Sequence, residues 1–242
     1  MSTEFVDAWR TIVPRRDDPH GMLPPLLVIL TAITGLVDAF SYLTLGHVFV
    51  ANMTGNVVFL GFALAGAQGF SVAASLAALA SFAVGSLLGG RLVVVSRDRG
   101  RLLAMATSVQ VVLVAAATAV RIAIGSDVSD ARHYSLIVLL AITMGLQNAA
   151  IRMLAVPDLT TTVLTLTTTA IFADSSFAGG PGSKAGRRSV GILSMFAGAL
   201  LGAMLILHVS LALPLVVALL LLVGVAVAAR LLSRHRPGWA TT

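Results

Sequence analysis

Long apolar runs, separated by short polar or Gly/Pro-containing breaks, dominate the chain: roughly 22–46, 47–66, 70–92, 101–124, 134–155, 157–178, 189–208 and 211–232. Each approaches the roughly 20 residues that an α-helix needs to cross a bilayer. The pattern therefore predicts an all-α integral membrane protein. Pro24 and Pro25 open the first run, where a missing N–H costs little. Six runs read as plain spans, and two do not. The second places Asn52, Thr54, Gly55 and Asn56 at membrane depth, and the sixth carries seven threonines between Thr160 and Thr169. In hydrocarbon every backbone polar group must be satisfied inside the protein. Break-prone polar stretches are tolerated only where they line a cavity or are buried. Both runs are read as interrupted or re-entrant segments.

The halves of the chain repeat. Gly35-Leu36-Val37-Asp38-Ala39 matches Gly145-Leu146-Gln147-Asn148-Ala149 at an offset of 110, and Ser81–Gly90 matches Ser194–Ala203 at an offset of 113, with five of ten positions identical. The two polar segments fall between these blocks in equivalent places. The expected organisation is an N-terminal segment 1–21, one membrane domain 22–232 made of repeats 22–124 and 134–232, and a tail 233–242.

Charge decides between two topologies. Only 11% of residues are charged and 57% are hydrophobic, against about 25% charged in soluble domains. A net charge of +6 would suggest nucleic acid in a soluble protein, but here the basic residues sit at the ends of apolar runs. If all eight runs cross, the basic loop with Arg91, Arg97, Arg99 and Arg101 lies outside. If the second and sixth runs dip in and return, fourteen of the sixteen Lys and Arg residues lie inside, leaving only Arg121 and Arg132 outside. The positive-inside rule favours this second arrangement: six spans, both termini cytoplasmic, and repeats of inverted topology. Eight spans with parallel repeats are the alternative. Residues 1–21 carry Glu4, Asp7, Asp17 and Asp18 and do not read as a signal peptide. Phe5, Trp9, Ile12 and Val13 share one helical face there, which suits the surface of a bacterial inner membrane.

Four stretches carry a resemblance: Gly35–Ala39, Val48–Asn56, Met144–Ala150 and Thr160–Thr165. Together they resemble the YoaK-like family of small bacterial membrane proteins, over about residues 24–230. The Asn-Met-Thr-Gly-Asn string is the specific part. The resemblance implies a membrane location and assigns no reaction, substrate or catalytic residue. Where a second Thr-Gly is expected, the chain has Thr165-Leu166.

Candidate chemistry lies among the few polar residues inside the runs. Asp38 is the acid deep in a plain span, where a charge costs at least about 2.5 kcal/mol on insertion scales. Such a group implies a partner, a proton or a wet cavity. Gln147 and Asn148 stand at the repeat-equivalent place. Asn52 and Asn56 are read as caps of two half-helices, Thr54 as a weaker cap, and Gly55 as the residue that permits the break. Of the threonines, the face with Thr161, Thr165 and Thr168 is the expected lining. Arg152 is read as the interfacial end of its span, with a pairing to Asp38 as the alternative. Gly85 and Gly89, with Gly198 and Gly202, give small-xxx-small spacing twice and predict close helix packing, between the halves or across a homodimer.

The chain has no cysteine, which removes thiolate metal sites and cysteine nucleophiles. His47, His133 and His208 show no metal spacing, and Gly179–Lys184 lacks the phosphate-loop spacing. No metal, cofactor, nucleic-acid partner or enzymatic activity is expected. The expected function is a small secondary transporter or permease for an unidentified small solute, with Asp38 as the proton-coupling group and the site at the repeat interface. The rival is a membrane scaffold or accessory subunit whose polar residues serve helix packing alone.

Overall fold

The computed structural model describes residues 3–15, 18, 20–96, 98–124, 130–156, 164–180 and 184–234. Among them the fold is all-α: α1 (Thr3–Ile12), α2 (Leu23–Thr44), α3 (Met53–Leu64), α4 (Val72–Val95), α5 (Arg99–Ile124), α6 (Asp130–Leu154), α7 (Leu164–Ala173), a 3₁₀ turn at Ser176–Ala178, α8 (Ala185–His208) and α9 (Leu213–Arg234). Six of these, α2, α4, α5, α6, α8 and α9, are long and apolar enough to cross a bilayer. The 12 residues of α3 and the 10 of α7 reach only about 18 and 15 Å at 1.5 Å per residue. That is roughly half of a 30 Å hydrocarbon core.

Local chemistry explains the elements. Pro24 and Pro25 fall in the first turn of α2, and Ser71 caps α4 by accepting from the Ala74 N–H at 3.2 Å. Hydroxyls inside the spans are satisfied locally. Thr31, Thr34, Thr107, Thr118 and Thr143 each donate to the carbonyl four residues back, so each helix accommodates its own threonines. α2 and α6 are the most buried spans. Leu27, Leu30, Ile33, Phe40, Leu140 and Met144 fill the core between the helices. The outer faces of α8 and α9 expose Leu193, Phe196, Leu207 and Leu220, as expected of surfaces that meet lipid rather than water.

Two intimate helix pairs build the bundle, α2 with α8 and α4 with α6. Small residues set their approach. A Cβ at Gly35 would land on the carbonyl of Met195, and one at Gly198 on the carbonyl of Ala32. In the other pair, a Cβ at Gly145 would land on the carbonyl of Phe82, and one at Gly85 on that of Ile142. Gly89 packs against Leu146 and Ala149, and Gly202 against Leu36 and Ala39. The contact residues ascend together along both helices, so α2 runs parallel to α8 and α4 runs parallel to α6. α5 packs on α9, tied by Arg230 to the Ser108 hydroxyl at 2.8 Å.

α1 closes one end of the bundle. Gly186, at the start of α8, meets the Glu4 carbonyl and the Ala8 N–H, and Thr11 is buried. The opposite face leaves Phe5, Trp9, Ile12 and Val13 exposed. At this same end Arg99 donates to the Leu154 carbonyl at the close of α6, and Arg188 of α8 holds Asp174 at 2.8 Å.

Candidate functional site

The second apolar run breaks at its start and not between two half-helices as expected from the sequence. α2 ends at Thr44. Gly46 (φ 82°) and His47 (φ 55°) then take left-handed conformations, and Val48–Asn52 runs without helix before α3 begins at Met53. Non-helical backbone at this depth needs partners, and two side chains provide them. Asp38 Oδ1 accepts from the N–H of Val50 at 3.0 Å and of Ala51 at 2.8 Å. Asn56 reaches back to Phe49 with both ends of its amide. Its Oδ1 accepts from the Phe49 N–H at 2.9 Å, and its Nδ2 donates to the Phe49 carbonyl at 2.6 Å.

Asn52 caps α3, accepting from the Gly55 N–H at 3.4 Å. The cap expected from Asn56 is therefore corrected: its amide pairs like a strand neighbour with Phe49. Gly55 is corrected as well. It is helical, and what it supplies is room, since a Cβ there would stand 2.8 Å from the Phe49 ring. That ring belongs to an aromatic layer that the sequence reading missed. Phe49 stacks on Tyr42 (centroids 4.9 Å) and on Phe59 (5.6 Å), and Phe59 meets Phe70 at 5.1 Å. His47 joins Tyr42 and bonds the Gly69 carbonyl at 3.0 Å. The signal was available: Tyr42, Phe49, Phe59, Phe62 and Phe70 crowd into one short stretch of a chain only 6% aromatic.

These constraints shape a cavity of about 710 Å³. Its described lining includes Asp38, Asn52, Thr54 and Gly55 on one side, and Leu164 and Thr165 of α7 on the other, with Phe82 of α4 and Met195 of α8 between them. The structure thus brings Asp38, Asn52, Thr54, Gly55 and Thr165 together. Asp38 is 4% exposed, and its second oxygen, Oδ2, has no hydrogen-bond partner.

Other expected site residues lie elsewhere. Asn56 is fully buried beneath the cavity wall, bonded to Phe49. Gln147 is buried between α6 and α2, donating to the Thr34 hydroxyl at 2.8 Å. Asn148 donates to the Met144 carbonyl of its own helix at 2.8 Å. Thr168 is on α7 but not among the cavity-lining residues, and Thr161 lies outside the described residues. Arg152 is exposed at the end of α6. Asp38 hydrogen-bonds neither Arg152 nor Tyr42; it is held by backbone.

α3 starts at the cavity, and the first described residues of α7 line it. The first turn of α3 presents its N–H groups there. The Met53 N–H is taken by the Ala51 carbonyl at 3.2 Å and the Gly55 N–H by Asn52, while no described residue accepts from the Thr54 N–H. α3 then leaves toward the end of the bundle where α2 stops, since Phe59 and Phe62 meet Phe70 and Gly69 meets His47. α7 leaves toward the opposite end. Arg188, in the first turns of α8, takes the Ala170 carbonyl and Asp174, and α8 begins where α1 packs. Unsatisfied N–H groups and the helix dipole make a helix N-terminus locally positive.

The fold defines a polytopic α-helical membrane protein, with an open cavity whose wall includes Asp38, Asn52, Thr54 and Thr165. The family profile described as "Protein of unknown function (DUF1275)" matches residues 26–228, and the chain belongs to that family. It is 34% identical over 151 residues to "UPF0700 transmembrane protein YoaK" of Bacillus subtilis (strain 168), a stretch covering 62% of this chain and 66% of that protein, just under two thirds of its length. No solved structure matches the chain.

Proposed function

We propose that the chain is a small secondary transporter of the bacterial inner membrane, a carrier rather than an enzyme, that binds an unidentified small solute in the cavity between α3 and α7. The observation that carries this reading is the cavity itself. Groups that hydrocarbon penalises gather there, from α2, the start of α3 and the first described turn of α7.

The arrangement of helix ends supports six spans with two re-entrant segments in inverted repeats. α2 stops and α4 starts at one end of the bundle; α6 stops and α8 starts at the other. Each short helix therefore enters and leaves through a single face. The glycine contacts support the repeat: Gly35 on Met195 and Gly145 on Phe82 are related by the offsets of 110 and 113 that align the two halves. Cavity residues Phe82 and Met195 are such a pair. Interrupted helices meeting near the midplane at a repeat interface are a recurring plan for solute carriers. The end that holds α1, Arg91, Arg99, Arg152, Lys184 and Arg188 is the basic one, which supports a cytoplasmic location for it and for both termini.

A scaffold role has its own support, because Gln147, Asn148 and Asn56 are all spent on packing bonds. Asp38 Oδ2, Thr54 and Thr165 are not, and they separate the two readings.

The test is flux and ligand-induced stabilisation of the purified full chain, against a panel of small carboxylates, phosphate, amino acids, polyols and monovalent cations. A bound solute raises the unfolding temperature by mass action. The expected result is that one solute class both stabilises the protein and crosses proteoliposomes, and that Thr54→Trp, which fills the cavity, ends both while the protein still folds. No stabilisation and no flux above empty liposomes for any class would leave the scaffold reading.

A further inference from the structure

The chemistry of the cavity wall names a class of solute, an inference that rests on the transporter reading above. The N-terminus of α3 opens on the space that the first described residues of α7 also line. α3 brings the Thr54 N–H and hydroxyl, and α7 brings Leu164 and Thr165 at its first described turn. Helix N-termini favour negative charge, through their free N–H groups and their dipoles. Against them stands one carboxyl group, Asp38, 4% exposed and lining the same cavity, with Oδ1 committed to Val50 and Ala51 and Oδ2 unpartnered.

We propose that the cavity takes a small anionic solute, and that the free Oδ2 of Asp38 carries the proton that travels with it. The two halves of this statement depend on each other. With Oδ2 deprotonated, the carboxylate is the anion that the α3 N-terminus holds, and a second anion is repelled. With Oδ2 protonated, Asp38 is a neutral donor in the wall that Thr54 and Thr165 share, and an anionic oxygen completes the set. One proton enters with each anion, and both leave together when Asp38 gives its proton to water on the far side. A monovalent anion then moves without net charge.

No other titratable group among the described residues faces Asp38. The segment 51–59 adds only neutral side chains to the lining; α4 adds Phe82, α7 Leu164 and Thr165, and α8 Met195. From α6, Gln147 faces α2 as a neutral amide bonded to Thr34. Among the cations of the neighbouring helices, Arg188 pairs with Asp174, Arg230 bonds Ser108, Arg152 is exposed at the end of α6, and Arg187 lies in the first turn of α8. The acids of α1 pack at the far end of α2, beside the start of α8.

The experiment uses the full chain with lactate and inorganic phosphate as anionic probes, methylammonium as the cationic probe and glycerol as the neutral one. Binding is read by thermal shift and flux by proteoliposome uptake with an internal pH dye. An anionic probe is expected to bind at least tenfold more tightly at pH 5.5 than at pH 8, and its uptake is expected to acidify the lumen. In Asp38→Asn the amide can keep its oxygen on Val50 and Ala51 and point a permanent N–H₂ donor into the cavity. Binding in that variant should be as tight at pH 8 as at pH 5.5, with anion exchange retained and proton uptake lost. Flux of methylammonium or glycerol instead would overturn the anion assignment and leave the transporter reading standing. Anion flux with no pH dependence in the wild-type protein would overturn the role of Asp38, whether or not the variant folds. No binding and no flux of any probe at either pH would end both.

Discussion

The segment after α2 and the segment after α6 stand in matching places along the chain, yet their side chains differ in kind. The first has Asp38 and Asn56 to hold its backbone, Gly55 to admit the Phe49 ring, and an aromatic layer built on Tyr42, Phe59 and Phe70. At the aligned positions the second has Asn148, Thr167, Leu166, Arg152, Ala170 and Pro181. Asn148 turns its amide to the Met144 carbonyl of its own helix. The start of α3 and the first described residues of α7 both line the cavity. What differs is that only one of the two aligned sites on the long helices, Asp38, can gain or lose a proton.

That contrast can be broken by mutation. The largest effect is expected where the halves should behave alike. Gly198→Val and Gly85→Val each drive side-chain atoms into the backbone of the partner helix, at the Ala32 and Ile142 carbonyls. Each should cost about 3 kcal/mol, the upper end of ordinary overpacking. Equal losses in detergent unfolding would support matched packing; a loss in one alone would show that the resemblance of the two helix pairs is superficial.

Next comes Asn148→Asp, which gives the second half the acid of the first. The donor to Met144 is lost, and a charge at this depth costs about 2.5 kcal/mol or more on insertion scales. Unfolding measured at neutral and acidic pH should show the deficit shrinking as the new carboxyl gains its proton.

Smaller still is the difference between Asn56→Ala and Thr167→Ala. Asn56→Ala strands the N–H and carbonyl of Phe49 and should cost about 2 kcal/mol, the range for a buried polar group left unmade. The Thr167 change removes one hydroxyl, whose net hydrogen-bond contribution is about 1 kcal/mol. Equal costs would mean that the first segment is no more dependent on its side chains than the second.

The least effect is expected at the basic end. Burial, and then the neighbouring Arg99 guanidinium, hold the pKa of His20 below its ordinary value of 6.5. The unfolded chain therefore takes up this proton first. His20 contributes its full stability above pH 6.5 and loses it as pH falls toward its lower folded value. In a pH series of unfolding temperatures, His20→Gln should flatten the slope below pH 6.5 and change nothing above it.

How much of this was legible in the sequence follows from range. The six long helices were readable because hydropathy over about 20 residues is a property of each segment alone. The proposal of re-entrant segments rests on where charge sits between runs, again a local count. Asp38, Asn52, Thr54 and Thr165 could be singled out because polar groups are rare at that depth. The roles of Gly55 and Asn56 were misread for one reason: both act on Phe49, six and seven residues back, through a ring contact and a backbone pairing that exist only once the chain has turned at Gly46 and His47. The glycine spacings announced close approach but not the partner. That Gly85 meets α6 and Gly198 meets α2 is a fact about the assembled bundle, as is the burial of Gln147 against Thr34.

Thr54 of α3 and Thr165 of α7 line one cavity, and water is expected to reach both. The chain has no native cysteine, so Thr54→Cys and Thr165→Cys, singly and together, report on it directly. Both cysteines are expected to react with a small, water-soluble, membrane-impermeant thiol reagent, and a short bifunctional reagent is expected to join them within a single chain. Two cysteines that resist every water-soluble reagent and never cross-link to one another, in a protein that still folds, would contradict it.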